Sequence, residues 1–324
     1  MADTLPVLTA PAAAPFDWLT GMRDDLVAML PACGAVVLRG LPVGAAADAA
    51  RVRDLLPWPK MAPTEYFAPR GQDRDGMLSA LSWPADRPIC PQNDQSYSLE
   101  FPGVLVTAYL KTAARGGEVL LSDTRRVLDA LPAPLVERVR DHGWLMSRTF
   151  HERVGMSWQE AFRVDTHDAL AARLDGERIA FRWGSDHELR TLRRRAGILR
   201  HPVTGDPCWF NHIAFLNEWS LVPEERDIYL EAFGSRGLNL NTFHGDGTPF
   251  GETEVKAINS VHDEVAVPVE VRPGDVLLVD NLLMAHGRRP YDGERALALS
   301  FASATRVADC APTVTDLAVD IESW

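Results

Sequence analysis

Two short segments far apart in the chain, Gln92-Asn93-Asp94 and Asp280-Asn281-Leu282-Leu283-Met284-Ala285-His286, place the tightest constraint on the fold. Gln92 and Asp94 carry side-chain oxygens two positions apart, and in an extended strand such residues point to the same side. His286, followed by Gly287, is the third donor, and it must arrive from a much later segment. Antiparallel sheets bring distant stretches together in this way. Two neutral donors and one carboxylate on one face of a metal leave its other positions open, the arrangement that suits non-haem iron(II). Such a site ordinarily has two imidazoles, and Gln92 stands where the first would be.

Local patterning supports a β-rich chain with flanking helices. Helical spacing of apolar residues over 18–30 is stopped by Cys33-Gly34, and the apolar run 35–40, closed by glycine, predicts a buried strand. A helix is expected over 44–56, then loops with short strands over 57–91. Residues 101–110 and 119–122 read as strands, after which Asp123-Thr124 can cap a helix to about Ala130. Another helix starts near Pro132 and stops at Gly143. Residues 144–199 mix helical and polar segments, and Arg193-Arg194-Arg195 reads as a solvated turn or helix face. A strand pair is expected over 202–215 around Thr204-Gly205-Asp206-Pro207, and a helix over 223–233. The run 276–279 is a buried-strand pattern leading into Asn281 and His286.

A chain of 324 residues with 46% hydrophobic and 24% charged residues is an ordinary globular one. Its net charge of −12 argues against nucleic acid or an anionic membrane as partner, because phosphate groups need a positive field. Cys33, Cys90, Cys208 and Cys310 are widely spaced with no C-x-x-C, as expected of free thiols in a reducing compartment. Residues 1–15 are Ala/Pro-rich without a basic start or a signal-length apolar run, and no stretch reaches the roughly 18 apolar residues of a membrane span. The expected location is cytoplasmic.

The text around the donors resembles a known family. Gln92-Asn93-Asp94-Gln95-Ser96-Tyr97 is similar to the His-Asn-Glu-x-Ser-Tyr signature of the taurine dioxygenase and clavaminate synthase-like iron(II)/2-oxoglutarate oxygenases. Gly116-Gly117-Glu118 with Ser122-Asp123-Thr124-Arg125 resembles their Gly-Gly-Glu stretch. His201-Pro202, Thr204-Gly205, Trp209-Phe210-Asn211-His212, Asn241-Thr242-Phe243 and Gly245-Asp246-Gly247 follow in the same order. Asp280-Asn281 through His286-Gly287-Arg288, Pro290-Tyr291, Gly293 and Arg295 resembles the distal metal and cosubstrate motif. The likeness spans roughly residues 30–305 and is nearest to the syringomycin-biosynthesis type.

The resemblance implies a double-stranded β-helix, a mixed, β-rich jelly-roll core with flanking helices and long insertions. Residues 1–15 read as a flexible lead-in, and with no linker in the rest of the chain, 16–324 reads as one such domain. Iron(II) would sit on Gln92, Asp94 and His286. Arg295 matches the arginine that holds the distal carboxylate of 2-oxoglutarate, with Arg288 and Arg289 as weaker candidates. Val119 stands where the family often has a threonine that hydrogen-bonds the cosubstrate. Ser96, Trp209, Asn211 and His212 match positions near the substrate cavity. The implied reaction is hydroxylation, desaturation or cyclisation of an amino-acid-like small molecule, free or carrier-tethered, in natural-product biosynthesis. Gln92 and Val119 keep two other readings open: a redox-neutral or metal-independent enzyme on the same fold, and a non-catalytic binding protein.

Overall fold

The two apolar runs expected as buried strands lie side by side in the largest sheet. In a computed structural model that describes residues 5–71, 75–152, 154–184 and 187–324, β2 (Ala35–Arg39) pairs antiparallel with β15 (Val276–Asp280), Val37 opposite Leu277. The sheet is completed by β1 (Val7–Thr9), β5 (Glu100–Lys111), β18 (Ala296–Arg306) and β3 (Lys60–Met61), in the order β1-β2-β15-β5-β18-β3. The runs are apolar throughout because both faces are covered. Ala35, Val37, Leu277 and Val279 join the core between the sheets, whereas Val36, Leu38, Val276 and Leu278 join a second cluster with Leu19, Leu26, Leu30 and Val52. Those last four belong to the helices Pro15–Gly21, Arg23–Cys33 and Ala46–Leu55.

A four-stranded sheet, β14 (Val267–Val269), β7 (Val119–Asp123), β16 (Met284–Arg288) and β4 (Ile89–Gln92) in that order, contributes Val269, Val119, Leu121 and Met284 to the same inner core. These two sheets are the jelly roll. The rest of the chain builds around it a second four-stranded sheet of β13 (Asn241–His244), β8 (Trp144–Phe150), β10 (Leu189–Arg195) and β9 (Ala180–Trp183). Two short pairs, β11 (Ile198–Arg200) with β12 (Pro207–Trp209) and β6 (Arg115–Gly116) with β17 (Tyr291–Asp292), complete the strands. Among the described residues no helix is long and apolar enough to cross a membrane, and the four cysteines are unpaired.

Several local expectations are met closely. Asp123 caps the helix Thr124–Ala130 by accepting from the Arg125 N–H, and Pro223–Phe233 is a helix followed by Gly234. The first helical stretch divides at Met22 (φ −85°, ψ 2°), and its second part stops at Gly34, whose φ of +79° is the left-handed turn that glycine adopts readily.

Three expectations are corrected. The N-terminal lead-in is not free as far as it is described: Val7–Thr9 pairs in parallel with β2, and Ala10 is buried. Residues 1–4 lie outside the described residues. The strand pair expected over 202–215 begins earlier, at Ile198, because the His201 Nδ1 accepts from the N–H groups of Val203 and Thr204 and turns the chain there. Finally, Arg193-Arg194-Arg195 is neither turn nor helix but the end of β10. Arg193 and Arg195 are 1% exposed; Arg193 pairs with buried Glu65 at 2.5 Å, and Arg195 donates to the Tyr97 and Glu177 carbonyls. Strand alternation sends Arg194 the other way, toward the Gly245 carbonyl.

Candidate active site

β4 ends at Gln92, directly opposite His286 of β16. The close approach of the two strands depends on Gly287, since a Cβ there would lie 2.5 Å from the Ile89 carbonyl oxygen. On its other side β16 pairs with β7, so that His286 faces Leu121 and Arg288 faces Val119. Asp94 lies beyond the end of the strand, in a turn, so strand alternation is not what brings it to Gln92. Asn281 does the placing. Its Oδ1 accepts from the Asp94 N–H at 2.9 Å, and its Nδ2 donates to the Asp94 and Pro102 carbonyls, each at 2.8 Å. Asn93 returns a hydrogen bond to the Asn281 carbonyl at 2.6 Å. The two segments singled out in the sequence are thereby clasped together.

Within this clasp Asp94 Oδ2 lies 3.1 Å from His286 Nε2, and Asp94 Oδ1 lies 3.6 Å from the guanidinium of Arg70. Burial alone would raise the Asp94 pKa. The Arg70 charge, followed by the hydrogen bond and charge of His286, brings it down to about 2, so the carboxylate is ionised at neutral pH. Gln92 is buried, and its side-chain oxygen accepts no hydrogen bond among the described residues. A buried oxygen without a donor is costly, and a bound cation would satisfy it. The donor set, an amide oxygen, a carboxylate and an imidazole beside each other, fits a divalent metal with open positions. Among the described residues no cluster of three His, Cys, Asp or Glu side chains is placed to hold a metal, so a three-donor set here depends on the Gln92 amide.

A cavity of about 100 Å³ adjoins these donors, bordered by Gln92, His286, Val119, Arg295 and Arg70 among others. Arg295 pairs with no carboxylate among the described residues, and its guanidinium lies 5.8 Å from the Tyr109 ring. Arg288, though in the same wall, is engaged: it donates to the carbonyls of Pro84, Ala85, Arg87 and Arg289. A larger groove of about 940 Å³, bordered by Glu177, Val307 and Val314, shares no residue with this cavity and holds none of the candidate side chains.

The four expected substrate residues lie among buried side chains away from the cavity lining. Ser96 and His212 form a buried pair, Oγ to Nδ1 at 2.5 Å, and burial depresses the His212 pKa to about 3, which keeps the ring neutral. Trp209 is packed in an apolar cluster with Tyr97 and Trp144. Asn211 is spent on the backbone, donating to the Gly197 carbonyl and accepting from the Ile213 N–H. None of the four, Ser96 and His212 included, borders the cavity. Sequence reasoning missed Arg70, Trp83 and Tyr109, which do border it; Arg70 and Trp83 fall in a loop stretch without periodicity, where no pattern marks a residue as buried.

Comparison with known proteins agrees with this architecture. The family model described as taurine catabolism dioxygenase TauD, TfdA family matches residues 7–300. The dapdiamide synthesis protein DdaC of Enterobacter agglomerans is 26% identical over 264 residues, covering 82% of this chain and 80% of its own. A clavaminate synthase-like protein of Arabidopsis thaliana is 26% identical over 290 residues, covering 86% and 84%. The solved structure of AAD-2 in complex with Mn(II) and N-oxalylglycine superposes with a TM-score of 0.51 at 13% identity, covering 91% of this chain and 89% of that one, a likeness of fold. The chain belongs to the TauD/TfdA family of iron(II)/2-oxoglutarate-dependent dioxygenases.

Proposed function

We propose that this protein is an oxygenase that hydroxylates, desaturates or cyclises an amino-acid-like small molecule in natural-product biosynthesis. The observation that supports the reading is the contact of the Asp94 carboxylate with the His286 imidazole, with Gln92 opposite His286 across the ladder and Gln92, His286 and Arg295 bordering one cavity. The name of DdaC, a dapdiamide synthesis protein, supports the biosynthetic setting. When bound, iron(II) with 2-oxoglutarate and oxygen supplies the oxidising power for attack on an unactivated C–H bond. The chain's own residues bind and orient. Gln92 Oε1, Asp94 and His286 Nε2 would hold the ion, and Arg295 would fork onto the distal carboxylate of 2-oxoglutarate. Leu81, Trp83, Ile89, Leu297 and Leu299 form an apolar wall that keeps water from the reacting position.

Anaerobic titration of metal-free protein with iron(II) and 2-oxoglutarate tests the reading. The expected result is a saturable visible charge-transfer band, followed by substrate-dependent oxygen uptake and succinate release when amino acids are added. The Arg70–Asp94 contact favours one other reading, in which the guanidinium supplies the positive charge at Asp94 and the enzyme is redox-neutral. Absence of the band in the wild type, with its appearance in Gln92→His, would select that reading.

A further inference from the structure

Arg70 precedes every motif used so far, in the loop between β3 and β4. Its side chain is 6% exposed, and a buried guanidinium is costly unless its N–H groups find partners. Nη2 faces Asp94 Oδ1 at 3.6 Å, and the guanidinium carbon lies 5.8 Å from the Phe301 ring. Nη1 is buried and has no hydrogen-bond partner among the described residues. Arg70 borders the cavity shared by Gln92, His286 and Arg295, and also a hollow of about 10 Å³ that Asp94 borders. Three arginines therefore reach one small cavity. Arg288 is satisfied by backbone carbonyls, whereas among the described residues Arg70 Nη1 has no partner and Arg295 pairs with no carboxylate.

We propose that Arg70 anchors a carboxylate of the substrate, with Nη2 remaining on Asp94 and Nη1 donated to the ligand. The inference rests on the oxygenase reading and narrows its substrate class. One guanidinium, Arg295, takes the cosubstrate; the second requires that the substrate bring an anion of its own. A carboxylate suits it, because a planar guanidinium gives short charge-assisted bonds to a planar anion. The substrate then carries a free carboxylate. An amino acid whose only carboxyl is held as a carrier thioester has none to offer Arg70 and is excluded. Because Arg70 also touches Asp94, the anchored carboxylate lies next to the metal position, which sets the substrate's reacting carbon a short distance from it.

The test is calorimetry on Mn(II)-loaded full-length protein, titrated first with 2-oxoglutarate and then, in its presence, with each of the proteinogenic L-amino acids and its carboxamide. The expected result is that at least one acid binds and its amide binds at least about tenfold more weakly. Arg70→Gln should bring that acid-to-amide ratio close to one while changing 2-oxoglutarate affinity less than about threefold. Arg70→Lys keeps the charge but has no second nitrogen with which to span Asp94 and the ligand, and it should lower the ratio by about threefold or more, which covers the case in which Arg70→Gln does not fold. Equal binding of acid and amide, or an unchanged ratio in the variants, overturns the assignment. So does a loss of 2-oxoglutarate affinity in Arg70→Gln, which would make the cosubstrate the occupant. Binding of 2-oxoglutarate with no amino acid bound overturns the anchor and leaves the oxygenase reading standing; failure to bind 2-oxoglutarate overturns both.

Discussion

Gln92 and His286 are partners across the β4–β16 ladder, so the amide that replaces an imidazole stands opposite the imidazole that remains. Gln92 gives up no hydrogen bond when its side chain is exchanged, because its oxygen has no donor among the described residues. Gln92→His should therefore be tolerated and should tighten iron(II) binding by about tenfold or more, imidazole being the better donor for this ion. Anaerobic competition with a coloured chelator measures it. Unchanged affinity would mean that residue 92 is not a ligand.

The cosubstrate end of the cavity makes the second prediction. Arg295→Gln removes a charge-assisted fork, which should weaken 2-oxoglutarate by about 10- to 100-fold, on the order of 1.5–3 kcal/mol. Val119 lines the same cavity on β7. Val119→Thr adds a hydroxyl of nearly the same volume and should strengthen 2-oxoglutarate about fivefold, roughly 1 kcal/mol. Calorimetry on the Mn(II)-loaded protein reads both; an unchanged affinity in Arg295→Gln would send the distal carboxylate elsewhere.

Stability rests in part on a buried charge cluster away from the metal donors. Glu65 accepts from Arg148 at 2.7 Å and from Arg193 at 2.5 Å, with all three side chains under 5% exposed. Burial pushes the Glu65 pKa up, but Arg193 and Arg148 outweigh it and hold the carboxyl below its usual range. Glu65→Gln leaves two buried guanidiniums without their counter-ion and should cost about 3–5 kcal/mol. Urea unfolding gives the value, and a loss under about 1 kcal/mol would show that the arginines find new partners.

His262, on the helix Glu252–Val265, supplies a pH dependence. Its ring is buried against Ser122 Oγ at 3.0 Å, and burial lowers its pKa to about 4. The unfolded chain, with a histidine pKa of about 6.5, takes up the proton first as pH falls. The contribution is thus complete above about pH 6.5 and lost progressively toward pH 4, by up to about 3 kcal/mol. Urea midpoints at pH 7 and 4.5 should fall further for the wild type than for His262→Gln; equal falls would assign the pH dependence to other groups.

Residues whose meaning depends on near neighbours were legible in the sequence. The apolar runs of β2 and β15, the Asp123 cap, the Pro223–Phe233 helix and the order of the family motifs all follow from periodicity, capping chemistry or local text. Arg193 and Arg195 were not, because a run of three cations looks solvated unless its counter-ion is known, and Glu65 is distant in sequence. Trp209 and Asn211 match a motif, yet Asn211 spends its amide on the Gly197 carbonyl and the Ile213 N–H and Trp209 packs in an apolar cluster, neither of which a linear motif reveals.

The sequence by itself determined the fold class, the family and the identity of the candidate donors Gln92, Asp94 and His286. Those depend on side-chain chemistry and short-range pattern, which a linear string carries in full. Tertiary structure decided what surrounds them. It clasped Asp94 with Asn281, brought Arg70 out of a loop onto Asp94, and left Arg295 without a carboxylate partner among the described residues while spending Arg288 on carbonyls. The physical reason is that the cost of burying a charge depends on what else arrives at the same point, and only the folded chain brings those groups together.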